Sequence, residues 1–150
     1  MDIFTEEETA FLSQPQLGRL ATADLSRQPH VVPVSYHFDP ESETIAIGGH
    51  HFANSKKARD VHANPRVAIV VDDLRSRNPW RPRGIEIRGT AEYVESGGDV
   101  RGPGFDAAWL RITPHRIISW GFGPDGQTSS RRSITANADT SIDSVMSTTS

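Results

Sequence analysis

The sequence predicts a mainly β fold, a small antiparallel barrel. Three observations lead there: six or seven short β-rich runs, turn residues between them at close intervals, and only two stretches patterned as short helices. Thr5 with Glu8 is a capping box, so the first helix opens there and runs to about Ser13, with Phe11 and Leu12 facing inward. Leu17–Ala23 reads as a strand, residues 24–28 as a polar turn, and residues 29–38 as a second strand with Val32, Val34 and Tyr36 on one face. Pro33 within that apolar run marks an edge strand, whose unpaired side a ligand can occupy. After a turn at residues 39–42, Thr44–Ile47 forms a short third strand that Gly48 and Gly49 break. Ser55 stands as the N-cap of a second helix, directly before Lys56 and Lys57, and Asn64-Pro65 ends it because proline disfavours helix in the residue before it. Residues 67–73, 83–93, 109–113 and 116–120 are further strands. A loop with two prolines is expected at residues 74–82, a glycine-rich loop at 95–104, and a break at Pro114-His115.

At 150 residues the chain makes one domain, assigned to residues 1–124, followed by a Ser/Thr-rich flexible tail at 125–150 whose apolar residues (Ile134, Ile142, Val145, Met146) are too few for a packing face. A hydrophobic content of 35% and a mean hydropathy of -0.48 are low for a compact enzyme, so the tail lies outside the core, a partner supplies burial, or both. With no cysteine, disulfides, thiolate zinc sites and a cysteine nucleophile are excluded. No apolar run approaches a membrane span and the N-terminus is acidic where a secretory signal would be basic, so a cytoplasmic location with no membrane partner is expected.

The net charge of -3 conceals an asymmetry. Between Lys56 and Arg88 lie nine of the 16 Lys and Arg against four acids, a local balance of +5, while the rest of the chain carries -8. One basic region in an acidic chain suits a small anionic ligand better than a nucleic acid, which would favour a broad basic face. The helix opened by Ser55 is where that anion belongs, because its first N–H groups are unpaired and its N-terminus carries partial positive charge that Lys56 and Lys57 reinforce. A merely solvated helix face is the alternative for the two lysines.

The remaining residue types narrow the chemistry. His50 and His51 are adjacent and point to opposite faces, so no metal site is assigned, even with His30, His37 or His62 recruited. Trp80 in its proline-flanked loop reads as a contact surface, and Trp109 and Trp120 as core or dimer packing. Arg75 and Arg77 read as solubility and ion-pair residues beside Asp72, Asp73 and Glu86. There is no Ser-His-Asp arrangement, carboxylate pair or dinucleotide fingerprint, which argues against a hydrolase, a glycosidase or an NAD-binding Rossmann domain.

Five segments carry a resemblance: GRLAT at residues 18–22, QPHVVPV at 28–34, GGHHFANSKKARDVHANPRVA at 48–68, NPWRPRGIEIRGTAE at 78–92 and RITPHRIISWG at 111–121. Over residues 4–122 the chain resembles the pyridoxamine 5′-phosphate oxidase-like split β-barrel superfamily, nearest to its branch that uses the deazaflavin coenzyme F420. The resemblance implies an FMN-binding type of split barrel and a homodimer with two cofactor sites at its interface. It implies that the redox ring lies against Val32, Pro33 and Val34, that Gly48 and Gly49 allow close approach, and that Ser55, Lys56 and Lys57 hold the phosphate. Trp80, Arg81 and Arg83 would come from the second subunit. The activity implied is F420-dependent reduction of an activated C=C or quinone-like acceptor, with a dehydrotetracycline-type enone as one such planar substrate. An FMN-dependent oxidase of small phosphorylated amines and a non-catalytic flavin or deazaflavin carrier are the alternatives. No residue is assigned as catalytic, since Tyr36, His37, His51 or bound water each suits the proton-donor role.

Overall fold

The computed structural model describes residues 2–135. Helix α1 (Glu6–Leu12) is followed by strands β1 (Leu17–Ala23), β2 (Pro29–Asp39) and β3 (Thr44–Ile47), helix α2 (Lys56–Ala63), and strands β4 (Arg66–Arg77), β5 (Trp80–Val94), β6 (Trp109–Phe122) and β7 (Thr128–Ser133). Short 3-10 turns at Phe52–Asn54 and Gly98–Arg101 precede α2 and β6. The strands run β3-β2-β1-β4-β5-β6-β7, all neighbours antiparallel, and β3 also pairs with β6. That extra pairing closes six strands into a barrel and leaves β7 outside, along β6.

Alternation along the strands fills the interior. Leu20, Ile45, Ile69, Ile85, Ile87 and Leu110 are among the fully enclosed side chains, as a small barrel filled by its own residues requires. In β2 the inward face holds Val32, Val34 and Tyr36, as the alternation predicts, and continues to Phe38. The Thr5–Glu8 capping box is present, and Phe11 packs edge-on against Phe122 with ring centroids 5.4 Å apart. Among the described residues no helix is long and apolar enough to cross a membrane.

Three expectations are corrected. The proline loop at residues 74–82 is instead a hairpin in which Arg77 pairs with Trp80 across Asn78-Pro79, so β4 and β5 extend to its tip. Pro79 occupies the turn, and Pro82 lies near the hairpin's end, beside a register shift between Leu74 and Ser76, where an absent N–H is tolerated. The two strands expected around Pro114-His115 are one strand, β6, with the irregularity absorbed as a bulge opposite Arg88 and Gly89. A Cβ at Gly89 would stand 2.1 Å from the Thr113 carbonyl oxygen, which is why glycine is required at that bend. Finally, Thr128–Ser133 is strand β7, inside the expected tail, and Ile134 packs against the core. The polar composition concealed it because only one of its faces is covered. Arg132 is its anchor: it donates to the Ile3 carbonyl at 2.8 and 3.0 Å and pairs with the buried Glu8. Ile142, Val145 and Met146 lie outside the described residues.

Candidate functional site

Helix α2 crosses one end of the barrel. Buried Asp60 accepts from the Thr22 hydroxyl of β1 at 2.7 Å, and the His62 ring sits 4.3 Å from that of Tyr93 at the end of β5. Ser55 caps the helix as expected, its hydroxyl accepting from the Ala58 N–H at 3.3 Å while donating to the Phe52 carbonyl at 2.7 Å. The first turn contains no acidic residue. The twin lysines, however, diverge. Lys56 donates to Asp60 at 2.9 Å and lies 3.9 Å from Asp24, so its ammonium is held by internal carboxylates. Lys57 is half-buried over the Phe52 ring, 5.4 Å from its centroid, and burial pushes its pKa down. The converging pair expected from the sequence is therefore one structural lysine and one ammonium with no carboxylate partner among the described residues.

The turn that leads into α2 is tied to the loop before β6. Asp106 donates its backbone N–H to the Gly49 carbonyl at 3.0 Å and accepts the Ala53 N–H on its carboxylate at 3.1 Å. This clamp holds the glycine pair beside the helix start. A Cβ at Gly49 would meet nothing within 4 Å, so the backbone there faces open space. A Cβ at Gly48 would make ordinary contact with Phe105 at 3.5 Å, so close packing does not require glycine at that position. Along β2, Val34 is buried in the core and Val32 packs against it, whereas Pro33 is exposed. β3 pairs only with residues 36–39 of β2, so the stretch containing Val32, Pro33 and Val34 has β1 on one edge and no described strand on the other. A ligand there would meet the strand's edge and Pro33, not the two valine side chains.

Beside this edge lies a two-lobed recess. One lobe, about 370 Å³, is lined by Ser35, Tyr36, His37, Ala46, Gly48, Arg101 and Phe105; the other, about 380 Å³, shares His37, Ala46 and Arg101 and adds Asp39, Trp109 and Arg111. Arg101, Phe105, Asp106 and Arg111 were missed at the sequence level, where residues 95–104 show only glycine punctuation. Of the three proton donors considered, Tyr36 is engaged elsewhere, donating to the Leu12 carbonyl at 2.7 Å and accepting from Gln16, and burial raises its pKa. His37 lines both lobes. His51 adopts a left-handed backbone conformation, φ 54°, in the turn before α2. Among the described residues no group of three His, Asp or Glu gathers to hold a metal ion.

The three residues expected from a second subunit lie toward the opposite end of β5. Trp80 is 66% exposed at the hairpin tip, and Arg81 lines a recess of about 270 Å³ with Arg75 and Asp125. Arg83 is occupied, bonded to Asp73 at 2.6 and 3.0 Å with its guanidinium 4.7 Å from the Phe11 ring centroid, and Asp73 raises its pKa. Arg83 and Tyr93 are ten positions apart on one strand, roughly 30 Å at strand rise. Trp80 and Arg81 lie further out still, so within one chain they do not meet the Lys57 end.

Comparison with known proteins bears on the family and the fold. The family model described as "Pyridoxamine 5′-phosphate oxidase" matches residues 4–134. A protein of Streptomyces rimosus subsp. rimosus named 5a,11a-dehydrotetracycline/5a,11a-dehydrooxytetracycline reductase is 42% identical over 134 residues, covering 89% of this chain and 94% of its own. Among solved structures, one titled F420 Reductase superposes with a TM-score of 0.60 at 22% identity, covering 76% of this chain and 98% of that one. An FAD-binding protein from Mesorhizobium loti superposes with a TM-score of 0.59 at 22% identity, covering 79% of this chain and 93% of that one. At those identities the two structures speak to the fold alone.

Proposed function

We propose, from the premise that this chain belongs to the pyridoxamine 5′-phosphate oxidase family, that it is a reductase of a planar, electron-poor organic acceptor and uses coenzyme F420. The reductase assignment draws on the 42% identical relative, and a dehydrotetracycline-type enone is accordingly the acceptor to try first. A bound reduced F420 would supply the hydride for reduction of the acceptor C=C, its own two-electron oxidation balancing that reduction, with the accompanying proton coming from the protein or from water. The remaining tasks fall to the protein: binding, orientation and exclusion of water.

One observation carries the reading: the first turn of α2 contains no acidic residue, and the Gly48-Gly49 turn that leads to it, with unfilled space at Gly49, shares a recess with Ser35 at the open edge of β2. The residues present fit an anionic, ring-bearing coenzyme. Lys57 and the free N–H groups of the first turn would hold its phosphate, with Ser55 shaping the turn and Lys56 bracing it through Asp60. Val32, Pro33 and Val34 would offer the strand edge to the ring, and Gly48 and Gly49 the room. Trp80 and Arg81 of a second copy would close the site in a homodimer, while Arg83, bonded to Asp73, would stiffen the hairpin that carries them. His37 is the titratable donor we assign to the recess, with bound water as its alternative.

FMN carries a phosphate too, so the same seat supports an FMN-dependent oxidase as a second reading, and a carrier without turnover as a third. Titration with F420 and with FMN, followed by addition of 5a,11a-dehydrotetracycline to the reduced complex, tests them. Tight F420 binding and acceptor-dependent reoxidation support the reductase. Preferential FMN binding overturns the cofactor assignment, and F420 binding without reoxidation by any acceptor points to a carrier.

A further inference from the structure

Several cations of the barrel wall are already paired with carboxylates. Lys56 is held by Asp60 at 2.9 Å, Arg111 by Glu92 at 2.9 Å and Arg88 by Glu86 at 2.9 Å. Arg101 is different. It projects from the 3-10 turn at Gly98–Arg101 into the wall shared by both lobes of the recess, its guanidinium 5.7 Å from the Trp109 ring centroid. Its Nε is enclosed and has no hydrogen-bond partner, and no ion pair to it occurs among the described residues. A partly desolvated guanidinium without a carboxylate partner gains from an anion brought to its accessible side.

The two lobes are not equivalent. Asp39 lies in the lobe shared with Trp109 and Arg111, where its carboxylate accepts from the Glu41 N–H and the Ser42 hydroxyl, each at 3.0 Å. The other lobe, between Ser35 and Phe105, has no carboxylate in its lining. At about 370 Å³ it is within the range of small-molecule pockets. We propose that this lobe binds a planar organic molecule through an acidic oxygen, a carboxylate or an enolate, which the Arg101 guanidinium receives. The ring then lies between Phe105 and the β2 wall. Arg101 thereby selects acceptors by charge, an assignment that rests on the reductase reading only in identifying this anion with the acceptor.

The test uses the full chain without cofactor and two probes of one shape, 2-naphthoate and neutral 2-naphthamide, followed by tryptophan fluorescence and calorimetry. Naphthoate binds about tenfold or more tighter than the amide in the unaltered protein. Arg101→Gln abolishes the difference, Arg101→Lys keeps only part of it, and Arg131→Gln, the same charge change at an exposed position on β7, leaves it intact. Equal affinity for the two probes, or a preference that survives both Arg101 substitutions, overturns the proposal. If Arg101→Gln does not fold, Arg101→Lys decides alone, since it retains the charge and loses the planar fork. F420 titration of the same proteins keeps the two readings apart. Failure to bind F420 sinks the cofactor assignment and leaves the naphthoate preference standing, whereas lost preference with intact F420 binding sinks this one.

Discussion

Adjacent lysines at the start of α2 should separate into opposite phenotypes. Lys56→Ala removes the ammonium from Asp60, which is 3% exposed and would keep only the Thr22 hydroxyl at 2.7 Å. Breaking a fully buried pair costs about 3–5 kcal/mol, and because the Lys56 side chain is 39% exposed, solvent screening reduces that to about 1–2 kcal/mol. At about 2–4 °C per kcal/mol for a chain of this size, Tm falls by about 2–8 °C. Burial alone would push the Asp60 pKa up, but the hydrogen bonds from Lys56 and Thr22 outweigh it and hold it below the usual carboxylate range. A depressed carboxylate contributes stability above its unfolded pKa and loses it as pH falls through the folded one, so Lys56→Ala moves the acid unfolding limb to higher pH. Lys57 has the reverse sign. Burial lowers its pKa, so its charge costs stability at neutral pH and that cost is relieved as pH rises through the folded pKa. Lys57→Ala therefore leaves stability unchanged or slightly raised, while F420 affinity weakens by about 1–3 kcal/mol through a lost charge-assisted contact. Urea denaturation and F420 titration of both variants read the two effects. If Lys56→Ala weakens binding without loss of stability, or Lys57→Ala unfolds the protein with no change in affinity, the division of labour argued from the geometry is wrong.

Arg132→Ala should destabilise by about 2–4 kcal/mol, because it leaves the Ile3 carbonyl and the Glu8 carboxylate, 2% exposed, without their guanidinium. Urea denaturation reads this directly, and a loss below about 0.5 kcal/mol would mean that β7 is not an integral strand. Burial would raise the Glu8 pKa, but Arg132, the Thr5 amide and Ser119 outweigh it; the stability Glu8 contributes above the carboxylate range is lost as pH falls, and the variant loses it at higher pH than the parent. Gly49→Val, placed where a Cβ meets open space, should change stability by less than about 1 kcal/mol yet weaken F420 binding about tenfold, whereas Gly89→Ala, 2.1 Å from a backbone oxygen, should cost about 3 kcal/mol or more. Thermal melts and cofactor titration distinguish the two glycines, and equal effects on folding would refute the assignment of space at Gly49.

Local signals determined a large share of this protein. The Thr5–Glu8 box, the alternation in β2, the Ser55 cap and the Asn64-Pro65 stop each depend on residues a few positions apart, and each was legible because its physics is short-ranged. The shared segments likewise identified the family. What sequence could not decide depends on partners far along the chain. Lys56 and Lys57 look equivalent until Thr22 and Asp60 fix one of them, and Arg83 looks available until Asp73 takes both sides of its fork. β7 reads as tail because its anchor, Arg132, finds Glu8 across 124 positions, and Arg101 reads as loop because only the closed barrel encloses its Nε. Hydrogen-bonding patterns written within one turn of chain survive as sequence motifs. The pairing and desolvation of a charge are set by whatever the closed barrel brings beside it, and only the assembled tertiary structure supplies that.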